Sequence, residues 1–175
     1  MNAIELATRI IADIKAHSFS YKKHGLLRGP TVNIGTIKGG DKVNMVADFC
    51  EFSFDLRYVP GMDPKKILAT IKGLAQRHAK RFKIIIDDLQ YPYEIDAEHP
   101  LVKTYLEASK KLRCPSVLKG SEGATVITFF QKKKIPAIAT GYGSRTTAHT
   151  TDEYAHVEKL VKGVKVLERF LKEWR

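Results

Sequence analysis

The pattern of apolar and polar positions predicts five helices along the chain. Apolar residues recur every three or four positions in residues 3–16, 64–78, 100–112 and 156–174, which places them on one face of a helix. A fifth, shorter helix is predicted over residues 125–133. The last helix has the most pronounced apolar stripe, which we expect to be core and which consists of Val157, Leu160, Val161, Val164, Leu167, Phe170, Leu171 and Trp174.

Other segments alternate between apolar and polar residues, or are short apolar runs, and these predict strands. The clearest is 49–58, where every second residue is apolar, as expected of an antiparallel sheet covered on one side. Residues 31–37 also alternate, residues 43–47 are predicted to continue as extended chain, and further strands are predicted over 82–89 and 135–140. The apolar face of the clearest strand consists of Cys50, Phe52, Phe54, Leu56 and Tyr58.

The order of these elements indicates two domains of different kinds. Through residue 89 the order is helix, strand, strand, helix, strand, and one more strand in front would complete a ferredoxin-like split βαβ fold. We therefore expect the chain to start one strand late. Residues 91–100 carry prolines, and beyond them helices alternate with a short apolar strand, which favours an α/β arrangement. The predicted domains are residues 1–91 and 92–175.

Composition narrows the classes of protein to which this chain can belong. The 175 residues are 43% hydrophobic and 28% charged, values typical of a folded globular protein. No apolar run approaches the roughly 20 residues that are needed to cross a membrane. Cys50 and Cys114 form no CxxC pair, so a reducing, cytoplasmic location is expected.

The basic charge adds one alternative. The chain has 30 Lys and Arg residues against 19 Asp and Glu residues, a net charge of +11 that could indicate a nucleic-acid partner. The basic residues are spread along helix faces, and no aromatic–basic RNA-binding signature accompanies them. A Lys-rich solvated surface is the favoured interpretation, so a nucleic-acid binder is only the third and least favoured hypothesis. No membrane partner is expected.

Candidate chemistry centres on a histidine in the turn 141–154, GYGSRTTAHTTDEY. His149 is one of six histidines, none of which forms an HxH, HExxH or HxD motif, whereas a catalytic zinc usually needs three protein ligands. Arg57 ends the polar face of strand 49–58, where its guanidinium could grip a carboxylate or pair with neighbouring acids. Asn44 lies where a turn re-enters a strand, and its usual role there is turn formation.

Several stretches, taken in order, resemble one known family. They are NAIELA, PTVNIGTIKGGDKVNMVAD, FSFDLRYVPGMDP, HPLVKTYLEASKK, GSEGAT, IPAIATGYG and AHTTDEYAHVEKL. Together they resemble the C-terminal half of the M20 family of metallopeptidases and deacylases, over nearly the whole chain. The resemblance implies a ferredoxin-like lid or dimerisation domain that lacks its first strand, over residues 1–91. It implies the last part of an α/β zinc-peptidase catalytic domain over residues 92–175.

The same resemblance implies roles for individual residues. His149 matches the family's last metal ligand, Arg57 matches the lid arginine that binds the substrate carboxylate, and Asn44 matches a lid asparagine near the substrate. Two loops match the wall of the substrate pocket, and the residues concerned are Gly123, Thr125, Gly141 and Gly143. The implied cofactor is zinc, in a two-metal site to which this chain would give at most one ligand.

The family's other catalytic groups have no counterpart in this sequence. Its HxD ligand pair, bridging aspartate, Glu–Glu pair and remaining carboxylate ligand all precede the lid. Where many relatives have an aspartate and an arginine, this chain has Val126 and Thr128. The implied function is the C-terminal portion of a zinc-dependent amidohydrolase that cleaves N-acyl amino acids or small peptides and is inactive alone.

The implied partners are a second copy, bound through the lid domain, and a separately encoded N-terminal half. The alternative function is a non-catalytic dimerisation module or a subunit of a split enzyme. In a half-domain of this kind, apolar surface that the N-terminal half would cover stays exposed. We therefore expect exposed apolar side chains in the second half of the chain.

Overall fold

A computed structural model describes residues 1–114, 116–121, 123, 125–144 and 150–174. The chain forms two compact units, Met1–Pro92 and Tyr93–Arg175. Both contain helices, and the first also contains a sheet, so the predicted mixed α/β class is confirmed. Within the described ranges, no helix combines the length and the apolar character needed to cross a membrane.

The first unit contains helix α1 (Ala3–Ala16), strands β1 (Thr31–Gly39) and β2 (Cys50–Arg57), and helix α2 (Pro64–Gln76). All four were predicted from the sequence. Each helix begins at a capping side chain: Asn2 accepts a hydrogen bond from the amide of Ile4 at 3.0 Å, and Asp63 accepts one from the amide of Lys65 at 2.8 Å. These caps satisfy amide donors that the first turn of a helix leaves unpaired.

The two strands form an antiparallel pair in which Thr31 lies opposite Arg57 and Gly39 lies opposite Cys50. The register shifts between Ile34 and Thr36, where β1 carries one extra residue. The apolar face of β2 packs on a core cluster between the sheet and the two helices, as its alternation predicts. The cluster consists of Ile10, Ile14, Phe19, Ile67, Ile71, Leu74, Ala75 and Ala79.

Two predicted extended segments of the first unit are different in the structure. Residues 43–47 form a turn rather than a strand, and the amide of Met45 donates to the carbonyl of Lys42 at 3.1 Å. Residues 82–89 have no ladder partner among the described residues, so they are not a strand, and Ile85 is 67% exposed. A segment whose residues favour a strand becomes one only where a neighbouring backbone accepts its hydrogen bonds.

The second unit contains helices α3 (Pro100–Lys111), α4 (Ile127–Lys132) and α5 (Val157–Glu173), all three of which were predicted. Helices α3 and α5 pack together: the rings of Tyr105 and Phe170 lie 5.7 Å apart, edge to face, and Lys111 pairs with Glu173 at 3.1 Å. The predicted strand over 135–140 is not formed, and the described part of this unit contains no strand.

The apolar stripe of α5 is not core, which corrects the prediction. Val164 is 65% exposed and Leu171 is 67% exposed, whereas Gly163 and Val166 are the buried residues of this helix. The helix contacts α3 through the stripe residue Phe170, whose ring lies against Tyr105, and Gly163 lies against the ring of Tyr142. The expected exposure of apolar side chains in the second half of the chain is confirmed.

Candidate functional site

Arg57 lies at the last position of β2, and its side chain is oriented by Asp55, which lies two residues earlier on the same strand. Its Nε donates to Oδ2 of Asp55 at 2.9 Å, and both side chains are more than half exposed. An exposed pair of this kind adds little stability, about 0–1 kcal/mol. It does orient the guanidinium, which carries five N–H donors in a fixed fork that matches a carboxylate.

Asn44 lies in the turn between β1 and β2 and is exposed. The turn is closed by the bond from the Met45 amide to the Lys42 carbonyl, in agreement with the turn-forming role that its sequence context favours. The apolar residues around Asn44, which are Val43, Met45 and Val46, are also exposed. Three adjacent apolar side chains on a turn are typical of a surface that contacts another molecule.

Arg57 and Asn44 are not brought together in the first unit. The connection between β1 and β2 leaves β1 at Gly39, and Gly39 pairs with Cys50 at the start of β2. Arg57 ends the same strand, which is 8 residues long. At a rise of roughly 3.3 Å per residue, the turn that bears Asn44 and the guanidinium of Arg57 are separated by about 25 Å of strand.

The first predicted pocket loop of the second unit leads into α4. Ser121 Oγ accepts a hydrogen bond from the amide of Gly123 at 3.2 Å, and Thr125 Oγ1 accepts one from the amide of Ile127 at 3.4 Å. The carbonyl of Thr125 also accepts a bond from the Thr128 amide at 3.4 Å. Thr125 therefore holds the first turn of α4, and Thr128 is part of that turn.

The second predicted pocket loop, which contains Gly141 and Gly143, is anchored by the tyrosine between them. The hydroxyl of Tyr142 lies 2.6 Å from the hydroxyl of Tyr105 on α3, and Tyr105 also bonds to Thr140. The ring of Tyr142 lies against Gly163 of α5, where an added Cβ would come within 2.3 Å of Cδ2. The positions where Gly141 and Gly143 would carry a Cβ are open. This loop is thus fixed through Tyr142, while its glycines face free space.

Burial and the hydrogen bond with Tyr105 raise the pKa of Tyr142 above that of an ordinary tyrosine. Tyr105 itself is only 6% exposed. Tyr105 lies in the helix that the sequence predicts over residues 100–112, but the sequence did not predict its contact with the loop. The available signal was the phenol itself, because a buried tyrosine hydroxyl usually finds a hydrogen-bond partner.

His149, the predicted metal ligand, lies outside the described residues, so the structure does not test its role. In the part of the chain that the structure describes, no three His, Cys, Asp or Glu side chains lie close enough together to hold a metal ion. The described residues therefore do not by themselves provide the donor set that a zinc ion takes. Zinc remains a prediction from the resemblance.

Comparison with protein families gives a match at the first unit. The family model of the M20 peptidase dimerisation domain matches residues 1–83. The resemblance to the M20 family is confirmed. The match covers α1, both strands and α2, together with the residues that precede the unpaired segment 82–89.

Curated relatives match most of the chain. Acetylornithine deacetylase of Photorhabdus laumondii is 25% identical over 181 residues, which covers 98% of this chain and 46% of that enzyme. N-acetyl-L-citrulline deacetylase of Xanthomonas campestris is 28% identical over 155 residues, covering 88% of this chain and 42% of that enzyme. Acetylornithine deacetylase of Buchnera aphidicola is 27% identical over 150 residues, covering 83% and 38%. The chain thus spans less than half the length of these curated relatives.

Solved structures show the same fold. Aminopeptidase PepT of Bacillus cereus superposes with a TM-score of 0.75 at 22% identity, over 98% of this chain and 45% of that one. The M20 family metallo-carboxypeptidase Sso-CP2 of Sulfolobus solfataricus superposes with a TM-score of 0.68 at 24% identity, over 98% of this chain and 42% of that one. The M20 fold predicted from the sequence is therefore confirmed.

Proposed function

We propose that this chain contributes substrate-binding residues and one zinc ligand to an M20-type amidohydrolase that cleaves the amide of an N-acyl amino acid or small peptide. The observation that carries the proposal is the match to two kinds of N-acetyl amino acid deacetylase over 83–98% of the chain. Residues 1–91 act as the lid and dimerisation domain, and residues 92–175 are part of the catalytic domain. The enzyme works in the cytoplasm.

Arg57 binds the substrate carboxylate in this proposal. Its Nε bond to Asp55 fixes the plane of the guanidinium at the end of β2. A guanidinium held in this way can donate two parallel hydrogen bonds to a carboxylate, a geometry that a lysine ammonium does not offer. The net charge of +11 would also attract an anionic substrate from solution.

The separation of Asn44 from Arg57 supports a homodimer. An N-acyl amino acid spans about 7 Å along its extended backbone, far less than the roughly 25 Å of strand between the two residues. One substrate therefore cannot contact both residues of a single chain. In a dimer formed through the lid domain, Asn44 and its exposed apolar turn reach the substrate held by Arg57 of a second copy.

The second unit supplies the pocket wall and His149. Gly123, Thr125, Gly141 and Gly143 line the substrate pocket, and the Tyr105–Tyr142 contact keeps the last two in place. His149 offers the imidazole nitrogen that zinc accepts as a ligand. The other metal ligands and the general base come from a further polypeptide segment, so residues 1–175 alone do not hydrolyse amides.

The carboxylate role of Arg57 is tested by binding of N-acetyl-L-ornithine to the 175-residue chain, followed by NMR. The Arg57→Ala variant should weaken binding about tenfold, because hydrogen bonds to charged groups contribute roughly 1.5–3 kcal/mol. The Arg57→Lys variant should recover only part of the affinity, since it keeps the charge and loses the fork. Arg9→Ala is the matched control, because Arg9 is an exposed arginine on α1. Equal affinity of the Arg57→Ala variant and the unmodified chain would exclude the proposed role.

The need for further catalytic groups is tested separately. The zinc-loaded chain is assayed with N-acetyl-L-ornithine and N-acetyl-L-citrulline, and release of the free amino acid is measured. We expect no turnover above the zinc-only control. Turnover well above that control would show that residues 1–175 contain a complete catalytic apparatus.

A second candidate function is a dimerisation module without catalysis, and the family match over residues 1–83 favours it. In that case the chain would dimerise but would show no Arg57-dependent binding of N-acetyl amino acids. Sedimentation of the unmodified chain at micromolar concentration, combined with the binding assay above, separates the two candidates. A monomer would count against both the dimerisation module and the shared site.

A further inference from the structure

The loop that joins α1 to β1 lies in a strongly basic part of the chain. Residues 14–40 contain five Lys and Arg residues and no Asp or Glu. Like charges within one segment repel one another, and a bound anion removes that repulsion. The structure gathers part of this charge around one pocket of the first unit.

The pocket lies between the end of α1, the loop 17–30 and the start of β1, and its volume is about 330 Å³. That volume is at the lower end of the roughly 300–1,000 Å³ that is typical of small-molecule sites. Its lining includes Lys15, His17, Ser18 and Arg28, and none of the described residues around it is an Asp or a Glu. Its size and charge therefore suit a small molecule that bears an anionic group.

Contacts within the loop hold the walls of this pocket in place. The hydroxyl of Tyr21 donates to the carbonyl of Arg28 at 3.0 Å, which closes the loop. Gly29 has a φ of 141°, which favours glycine, and an added Cβ there would lie 2.7 Å from the hydroxyl oxygen of Tyr21. Phe19 is 9% exposed and belongs to the core cluster. The pocket is thus formed before a ligand arrives, which lowers the entropic cost of binding.

Three residues at the end of α1 line the pocket with donors that have no partner among the described residues. Nζ of Lys15 donates to the carbonyl of Val32 at 2.9 Å, which uses one of its three N–H groups and leaves two. The ring of His17 packs edge to face on Phe19, with centroids 4.7 Å apart, and its nitrogens bond to no described residue. The hydroxyl of Ser18 likewise bonds to no described residue. These donors are available to a ligand.

The helix dipole offers a simpler reason for two basic residues at the end of α1, because the carbonyl end of a helix attracts cations. Nζ of Lys15, however, does not bond to a carbonyl of α1. It reaches across to Val32 on β1, so its charge lies at the wall of the pocket. The helix dipole alone therefore does not account for the position of this ammonium group.

We propose that this pocket binds the phosphate group of a small molecule. A phosphate monoester carries a charge of about −1.5 to −2 at pH 7, which matches the two positive charges of Lys15 and Arg28, whereas a single carboxylate matches only one. Its oxygens accept hydrogen bonds from the remaining N–H groups of Lys15 and from His17 and Ser18. None of these four residues has a role in the amide hydrolysis proposed above.

The test is an NMR titration of the ¹⁵N-labelled 175-residue chain with inorganic phosphate at pH 7 and constant ionic strength. We expect saturable shifts of the amides of residues 15–18, 28–29 and 31–32 and of the ring signals of His17. The Lys15→Gln variant keeps an N–H donor for the Val32 carbonyl and should bind phosphate about tenfold more weakly, because it loses a charge-assisted hydrogen bond. The Arg28→Gln variant should weaken binding by a similar factor.

Lys22→Gln is the matched control, because Lys22 lies in the same loop, carries the same charge and does not line the pocket. This variant should bind phosphate within about twofold of the unmodified chain, since screening by salt weakens the effect of a charge outside the site. Protection of the amides of α1 and α2 from hydrogen exchange shows that each variant is folded.

Three results would overturn the phosphate site. The first is the absence of saturable shifts in the folded chain. The second is equal weakening by Lys22→Gln and Lys15→Gln, which would indicate diffuse attraction by the basic loop. The third is binding of acetate as tight as that of phosphate, which would indicate a carboxylate ligand. No readout requires an amide substrate or zinc, so failure here is distinct from failure of the proposed function.

Discussion

The hydroxyl oxygens of Tyr105 and Tyr142 lie 2.6 Å apart, and this contact joins a buried residue of α3 to the predicted pocket loop. Tyr105 also bonds to Thr140 at the start of that loop. The loop continues from Ser144 toward His149 along the chain. The position of the GYG residues is therefore set by a side chain 37 residues earlier in the sequence, and substitution with Phe removes the Tyr105 hydroxyl while keeping the ring.

The Tyr105→Phe variant should destabilise the second unit by about 1–3 kcal/mol, because two hydrogen bonds are lost and two partner hydroxyls are left in a partly buried site. Urea unfolding, followed through the fluorescence of Trp174, measures the change. Tyr154→Phe is the matched control, since Tyr154 is an exposed tyrosine of the same unit. Equal unfolding midpoints for the two variants would show that the Tyr105 hydroxyl does not stabilise the loop.

Alkaline pH should destabilise the second unit through Tyr142. Burial and the hydrogen bond with Tyr105 raise the pKa of Tyr142 in the folded chain. A group with a raised folded pKa stabilises the folded state below its unfolded pKa, and that stabilisation is lost as pH rises toward the folded pKa. The free energy of unfolding should therefore fall above about pH 10, where an unfolded tyrosine ionises.

The Tyr142→Phe variant should show a shallower decline in the free energy of unfolding between pH 9 and pH 11 in the same unfolding experiment. A decline as steep as that of the unmodified chain would contradict this assignment.

The elements that the sequence predicts correctly are stabilised by local interactions, or by hydrogen bonds and packing within the same unit. Helix α2 has its own cap at Asp63 and its own apolar face, and β2 has a partner in β1. Segment 82–89 contains a short apolar run that favours a strand, but it has no ladder partner among the described residues. Periodicity describes the preference of a segment and does not reveal whether a partner is present.

The same limit explains the stripe of α5 and the contacts of the candidate site. The apolar stripe along α5 predicted a buried face, but Val164 and Leu171 of that stripe are exposed, and the buried residues of the helix are Gly163 and Val166. The sequence indicated which side chains, Arg57 and Asn44, are suited to bind substrate. Their separation, with Arg57 at the end of β2 and Asn44 in the turn before its start, follows from the strand register. The role of Tyr105 could not be predicted, because its partners lie far away in sequence.

Gly163 should tolerate no larger side chain, because an added Cβ would lie 2.3 Å from Cδ2 of Tyr142. The Gly163→Ala variant should lose about 1–3 kcal/mol of stability through overpacking, despite the better helix propensity of alanine. Gly73→Ala in α2 is the matched control, since nothing lies within 4 Å of its added Cβ. That variant should gain roughly 0.5–1 kcal/mol. Thermal unfolding of both variants measures the difference, and a stabilised Gly163→Ala variant would exclude the Tyr142 contact.

The first unit should lose stability in acid through Asp13. His78, just beyond the end of α2, has its Nε2 2.9 Å from Oδ2 of Asp13 on α1, and Nη1 of Arg77 lies 3.7 Å from the same oxygen. The hydrogen bond with His78, together with the nearby charges, lowers the pKa of Asp13. A lowered folded pKa stabilises the folded state above the unfolded pKa, and this contribution is lost as pH falls through the folded value, here below about pH 4. The Asp13→Asn variant should therefore have a lower urea midpoint at pH 7 than the unmodified chain, and its midpoint should fall less between pH 5 and pH 3. Hydrogen exchange of the α1 and α2 amides follows the unfolding. The His78→Gln variant should weaken the same Asp13–His78 contact. An unchanged dependence of the urea midpoint on pH in both variants would show that the pair does not stabilise the unit.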